Sequence, residues 1–332
     1  MLTARHRSLL SRGQSSVLLH TASRGCRAAA SRTLRATASL HTDSAVAVVG
    51  LGSMGHGIVQ LAATSGYKVI GVETSDAALE HGIGAITDSL TKLASKGKIT
   101  EDEKDATLGR ITGATSLDAV ADADLVIEAI VEDMAVKVPF YEELGRIAKP
   151  TAIIATNTSS YSVNEIADAS GVPERVCGLH YFNPVQIMKL VEVISTERTD
   201  PAIADTMVAF AKQTGKVPVQ CGDTPGFIVN RLLVPYIGQA VALYARGDAS
   251  AEDIDTAMQL GAGHPMGPLT LADYVGNDVN LAVLEGWSTN FPDDAAFQIP
   301  EGIELLRSMV GEGKLGRKTG QGFYKWDGNK RA

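Results

Sequence analysis

Short apolar runs alternate with segments of helical period along the first two thirds of the chain. Runs near 46–49, 67–72, 124–130, 151–156, 176–180, 190–194 and 217–221 have the length and the Val and Ile content of strands buried in a sheet. Between them, 54–64, 75–96, 134–148, 163–169 and 202–213 place apolar residues at helical spacing; in 75–96 these are Ala78, Ile83, Ile86, Leu90 and Leu93. The stretch 96–104 is charged and reads as a hinge, and Lys149-Pro150 stops the helix before it. Strand and helix in strict succession predict an α/β doubly wound parallel sheet, with a late antiparallel strand as an addition.

The pattern changes at Asp223-Thr224-Pro225-Gly226. From 227 to 245 it is helical and so apolar that an interior helix is expected. Further helices are predicted at 249–260, with Ser250 as N-cap and Asp253 at N3, and near 269–274, 278–287 and 302–309. No strand is evident, so residues 223–332 are expected to form an all-helical domain behind a nucleotide-binding domain of residues 43–222. So apolar a helix in so small a domain calls for a covering surface, most simply a second copy of the chain, giving a homodimer.

Composition changes the picture at the N-terminus. Residues 1–42 hold seven arginines, many Ser and Ala, and no acid, the signature of an organellar transit peptide, here a mitochondrial one. Its removal takes seven positive charges from a net of −8 and leaves −15, a body that repels nucleic acid. No run of 18 apolar residues suggests a membrane span. Cys177 and Cys221 lie in apolar strand-like segments and read as buried thiols, not as a disulfide or metal set.

The first run feeds into Gly50-Leu51-Gly52-Ser53-Met54-Gly55 and then a helix. Gly50 permits the tight turn, Gly52 lets a pyrophosphate approach the backbone, and Gly55 lets helix and strand pack closely. The first-turn amides of that helix then face two phosphates. Glu73, 23 residues after Gly50 at the end of the second strand, has the spacing of the acid that accepts hydrogen bonds from the adenosine ribose. No arginine follows it, and its charge repels a 2′-phosphate, so this Rossmann-type site is expected to take NAD in preference to NADP.

Beyond the leader the histidines are His56, His81, His180 and His264. His56 and His81 read as incidental, and His264 as part of a rigid turn. His180 ends a strand at the carboxyl edge, where open α/β sheets bind ligands. Glu192, 12 residues on, is a lone carboxylate in an apolar strand and needs a partner. The turn through Asn183 and Pro184 brings the two segments back alongside each other. An imidazole held by a buried carboxylate has the fixed tautomer and raised basicity that proton abstraction from an alcohol requires; a purely structural His–Glu bond is the plainer alternative. Asn157-Thr158-Ser159-Ser160 follows another strand end at the same edge. Asn230 interrupts the apolar helix, and Glu132 lies just beyond the Ile130 strand end.

These segments closely resemble the monofunctional L-3-hydroxyacyl-CoA dehydrogenases of fatty acid β-oxidation. The resemblance runs from about residue 45 to 326 through the glycine motif, Glu128-Ala129-Ile130-Val131-Glu132, Asn157-Thr158-Ser159-Ser160 and Gly178-Leu179-His180-Tyr181-Phe182-Asn183-Pro184. It continues through Met188-Lys189-Leu190-Val191-Glu192-Val193, Asp223-Thr224-Pro225-Gly226-Phe227-Ile228-Val229-Asn230-Arg231, Gly263-His264-Pro265-Met266-Gly267-Pro268 and Gly316-Arg317-Lys318-Thr319-Gly320-Gln321-Gly322-Phe323-Tyr324. It implies reversible oxidation of the C3 hydroxyl of an acyl-CoA, short-chain substrates included, with hydride passed to NAD in the mitochondrial matrix. His180 would be the base and Glu192 its orienting partner. Ser159 and Asn230 would bind the reacting oxygen or support His180, Glu132 and Lys137 would lie near the cofactor ribose, and Asn157 and Asn183 would line the site. Ser89 and Lys96 match positions that hold the CoA moiety, a lysine bringing charge without demanding geometry.

The chain departs from that pattern in three places. Glu73 stands where the family usually has Asp, residues 97–105 are shorter than in animal mitochondrial forms and resemble bacterial 3-hydroxybutyryl-CoA dehydrogenases, and Tyr161 replaces a common leucine. The rival enzymes of similar build, 3-hydroxyisobutyrate and 6-phosphogluconate dehydrogenases, rely on a catalytic lysine, for which this chain offers His180 and Glu192. A catalytically silent NAD-binding structural protein is the reading from a different class.

Overall fold

The structure is a computed structural model that describes residues 40–332; the predicted transit peptide lies almost wholly outside the described residues. In chain order the first part comprises β1 (Ala45–Val49), α1 (Gly55–Thr64), β2 (Lys68–Val72), α2 (Asp76–Ser95), α3 (Glu101–Leu108), β3 (Ile111–Ala114), β4 (Leu125–Glu128), α4 (Met134–Ile147), β5 (Ile153–Thr156), α5 (Val163–Ser170), β6 (Val176–Tyr181), β7 (Leu190–Ser195), α6 (Pro201–Gln213) and β8 (Val217–Gly222). The eight strands form one sheet in the order β3-β2-β1-β4-β5-β6-β7-β8. All neighbours are parallel except β6 and β7, so the expected antiparallel addition is β7, and β8 runs parallel to it.

Alternation along β1 explains why the sheet needs helices on both faces. Val46 and Val48 point into a core shared with α1, α2 and α6, while Ala47 and Val49 point into a second core with α4 and α5. The order reverses between β1 and β4, which opens a crevice at their carboxyl ends, the place where such sheets bind ligands.

Two elements depart from the expected pattern. The expected charged hinge runs into α3, whose only buried residue is Thr107. Apolar spacing therefore gave no signal, but the Thr100/Glu103 capping box that starts it was readable. Strand β3, four residues with a glycine at the sheet edge, also lacked a pattern.

The second part is α7 (Val229–Ala245), α8 (Ala251–Ala262), α9 (Pro268–Val275), α10 (Asn277–Asn290) and α11 (Pro300–Gly311), followed by a small antiparallel pair, β9 (Trp326–Asp327) and β10 (Lys330–Arg331). That pair is the exception to the expected all-helical domain. Ser250 caps α8 as expected, accepting from the Asp253 amide at 3.1 Å. Helix α7 is not interior all round: Ile237, Val241 and Ala242 are buried, whereas Leu232 is 69% exposed. Buried Asp273 pins the C-terminal segment, accepting from the Phe323 and Tyr324 amides and the Trp326 indole, each at 2.9 Å. Gly322 is obligatory there, because a Cβ would lie 1.9 Å from the Asp273 carboxylate. Among the described residues no helix is long and apolar enough to cross a membrane.

Candidate active site

The glycine turn forms an anion cradle. Gly50 has φ +88°, and a Cβ there would sit 2.6 Å from the Ala129 carbonyl oxygen. At Gly55 a Cβ would overlap the Gly50 carbonyl, so both glycines serve close packing. At Gly52 a Cβ would meet nothing within 4 Å; its space is open to a ligand. No side chain caps α1 and no acid occupies its first turn, which leaves the orphan amides and the positive helix end for phosphate. Glu73 leaves β2 beside this turn, and its carboxylate accepts from the Leu51 amide at 2.6 Å and the Thr74 amide at 3.1 Å. The Glu73 carboxylate thus fixes the glycine turn. An open cradle, an uncapped helix and a carboxylate beyond it fit a dinucleotide.

Antiparallel pairing of β6 with β7 places His180 opposite Glu192, on one face of the sheet. His180 Nδ1 lies 2.7 Å from Glu192 Oε2. The other oxygen, Oε1, accepts from the Ile228 and Val229 amides at 3.0 and 2.9 Å, at the very start of α7. Burial alone would raise this carboxyl, but the bonds from His180 and Val229 outweigh it and hold it below the usual range. Glu192 is therefore ionised and can only accept, so in the neutral imidazole it is Nδ1 that carries the proton and Nε2 that keeps its lone pair. Phe182 and Phe227 flank the ring, with centroids 4.5 and 5.6 Å away. Phe227 has φ +53°, uncommon for a bulky residue, next to Gly226 at +79°. This strained turn delivers the α7 amides to Glu192, where the apolar pattern predicts unbroken helix.

A cavity of about 420 Å³ opens in front of His180. Ser53 and Met54 enter it from the glycine turn, Glu132 from the β4–α4 connection, Lys137 from α4, and Asn157 and Ser159 from just past the end of β5. Asn183 and Asn230 complete the border, so nine of the expected residues meet in one space. Asn157 Oδ1 accepts from the Tyr181 amide at 2.9 Å, which fixes its rotamer. Asn230 Nδ2 reaches the Ser159 carbonyl at 3.5 Å, a contact between sheet domain and helical domain.

Glu132 organises the β5–α5 turn. It accepts from Thr158 Oγ1 at 2.6 Å, the Ser159 amide at 2.9 Å and Ser160 Oγ at 3.1 Å. Desolvation pushes its carboxyl up, but Lys137 and the bonds from Thr158 and Ser159 bring it below its ordinary value. Lys137 is itself buried, 2.6 Å from Glu128 and 3.1 Å from Glu132. Both carboxylates engage the Lys137 Nζ, so this side chain is held between them. Glu128, which the sequence pattern left unmarked, also lines the cavity. It is fully buried and also accepts from Tyr141 OH at 2.9 Å and Thr156 Oγ1 at 2.7 Å. A carboxylate inside the apolar strand Leu125–Glu128 was the same signal that singled out Glu192.

Ser89 and Lys96 are not among the residues lining that cavity. They lie on α2 and just past its end, Ser89 half-buried and Lys96 exposed. Burial pushes the Cys177 thiol up to about 12; desolvation, with Glu192 and Asp223 adding to it, takes half-buried Cys221 to about 11. Both stay protonated and unreactive.

A dinucleotide cradle and a His–Glu pair meeting in one cleft define the class: an NAD-dependent dehydrogenase. Comparison with known proteins narrows it. Residues 45–224 match the 3-hydroxyacyl-CoA dehydrogenase NAD-binding domain and residues 226–326 the C-terminal domain of the same name. The mitochondrial hydroxyacyl-coenzyme A dehydrogenase of Homo sapiens is 48% identical over 85% of this chain and 90% of its own. The 3-hydroxybutyryl-CoA dehydrogenase of Clostridioides difficile is 44% identical over 85% and 99%. Among solved structures, (S)-3-hydroxybutyryl-CoA dehydrogenase from Ralstonia eutropha superposes with a TM-score of 0.81 at 42% identity, covering 86% of this chain and 99% of that one. The chain belongs to the 3-hydroxyacyl-CoA dehydrogenase family.

Proposed function

We propose that the protein oxidises L-3-hydroxyacyl-CoA to 3-oxoacyl-CoA reversibly, short-chain substrates included, with His180 as the base. The observation that carries this reading is the hydrogen bond from Nδ1 to Glu192 in a side chain that lines the cavity, which leaves Nε2 as the acceptor of the neutral ring. His180 takes the hydroxyl proton, and Glu192 stabilises the imidazolium that results. Bound NAD supplies the acceptor for the hydride that leaves C3. Ser159 and Asn230, from opposite sides of the cleft, hold the reacting oxygen in line with Nε2. Asn157, Asn183, Glu132 and Lys137 position the nicotinamide end, while the glycine turn and Glu73 hold the adenosine end. Residues 43–222 carry the cofactor and residues 223–332 close over the substrate. Ser89 and Lys96, one turn and more along α2 from its centre, belong to the CoA side of this picture.

The chain acts as a homodimer through its helical domain in this reading, supported by exposed Leu232, Leu260, Val275 and Val279 on α7 to α10. An arginine-rich, acid-free leader and the mitochondrial relatives support delivery to the mitochondrial matrix. The test is NAD reduction with the two enantiomers of 3-hydroxybutyryl-CoA. The L form is oxidised and the D form left; turnover of neither, or of D alone, refutes the assignment.

A further inference from the structure

A second cavity of about 840 Å³, twice the volume of the catalytic one, lies between the β5–α5 turn and α10. Its apolar wall is made by Tyr161, Ala282, Val283, Trp287 and Phe291. It adjoins the catalytic cavity: Glu132 borders both, and Ser159 on one side is followed by Ser160 on the other. Tyr161 stands at this passage, its hydroxyl donating to the Glu132 carbonyl at 3.4 Å.

We infer that this cleft receives the acyl chain beyond C4, with Tyr161 at its neck, so that the accepted chain length extends past short substrates and is set here. The inference rests on the dehydrogenase reading above. The charges select the occupant. Glu132, Glu165 and Asp223 rim the cleft, and three carboxylates repel the phosphates of a CoA tail. An alkyl chain carries no charge and gains from each methylene covered by Trp287 and Phe291. The catalytic cavity has to hold the nicotinamide together with the reacting carbons, which leaves the adjoining apolar space for the remaining methylenes of the acyl chain.

Gly286 on α10 offers a way to fill the cleft. It lines the cavity, and a Cβ there would meet nothing within 4 Å. The experiment measures NADH oxidation with C4 and C10 3-oxoacyl-CoA in the full-length protein and reads the ratio of the two kcat/KM values. Gly286→Leu and Ala282→Phe, which fill the cleft from the same wall, are expected to lower the C10:C4 ratio at least about tenfold. Tyr161→Ala widens the neck and raises the ratio several-fold. The two filling variants guard against one of them failing to fold. A folded filling variant whose ratio stays within about twofold of the parent, set against the tenfold expected, overturns the inference while leaving the dehydrogenase reading intact. Absence of turnover with both substrates in the unaltered protein overturns the reading, and the inference with it.

Discussion

Replacing Glu192 by glutamine separates orientation of the imidazole from mere packing. The carboxylate accepts from three donors: Nδ1 of His180 through one oxygen, and the Ile228 and Val229 amides through the other. Glutamine has a single oxygen. Turning it toward the imidazole would strand two part-buried amides against an NH2 group, at up to about 1–3 kcal/mol each. Turning it toward the amides strands only one ring N–H, which the imidazole relieves by changing tautomer. The second arrangement wins, and Nε2 then carries the proton it is meant to accept. A wrong tautomer in a comparable His–carboxylate pair lowers kcat about 10⁴-fold, so a loss of about 10³–10⁴-fold is expected, or about 4–5.5 kcal/mol of barrier. The assay is steady-state NADH oxidation with acetoacetyl-CoA, alongside NADH binding by fluorescence and a thermal melt. A folded Glu192→Gln protein with kcat within tenfold of the parent would refute the tautomer argument.

Three further outcomes rest on particular contacts. Glu73→Gln keeps an acceptor for the Leu51 amide but removes the charge; the NAD over NADP preference should fall roughly tenfold, and an unchanged Kd ratio would mean that Glu73 does not meet the ribose. Asp273→Asn turns an acceptor into a donor facing two of its buried partners. It should cost about 3–5 kcal/mol and lower Tm by about 6–15 °C, whereas an unshifted melt would deny Asp273 its anchoring role. Glu132 and Glu192 both have folded-state pKa values held below the ordinary one. Their contribution to stability is complete above the unfolded value of about 4.3 and is lost as pH falls through the lower folded values. Stability against urea should therefore fall below about pH 4, and less so in the Glu192→Gln protein; identical acid profiles would contradict this.

The sheet was legible because its strands are buried on both faces and read as continuous apolar runs, and the His180–Glu192 pair because a charge in such a run stands out. His180 and Glu192 oppose each other since the 182–189 connection returns the chain antiparallel, which the Asn183-Pro184 turn hinted at. What stayed hidden depends on contacts distant in sequence. Helix α3 buries one residue and so has no apolar stripe. The grip of Glu192 on the α7 amides requires a left-handed Phe227, which no local pattern announces. Glu128 carried the same buried-carboxylate signal as Glu192, but its partners Lys137, Tyr141 and Thr156 come from two other elements. The apolar pattern of α7 did not say how much of its surface its own chain covers, and Leu232 stays exposed on it. The departure at Tyr161 acquires a meaning only from the cleft that it borders.

The most direct measurement is NADH oxidation by acetoacetyl-CoA with His180→Gln beside the unaltered protein, NADH affinity being measured on both. The unaltered protein should turn over, and the variant should lose at least about 10³-fold in kcat while its Kd for NADH stays put. Near-normal turnover by the variant would contradict proton transfer through His180.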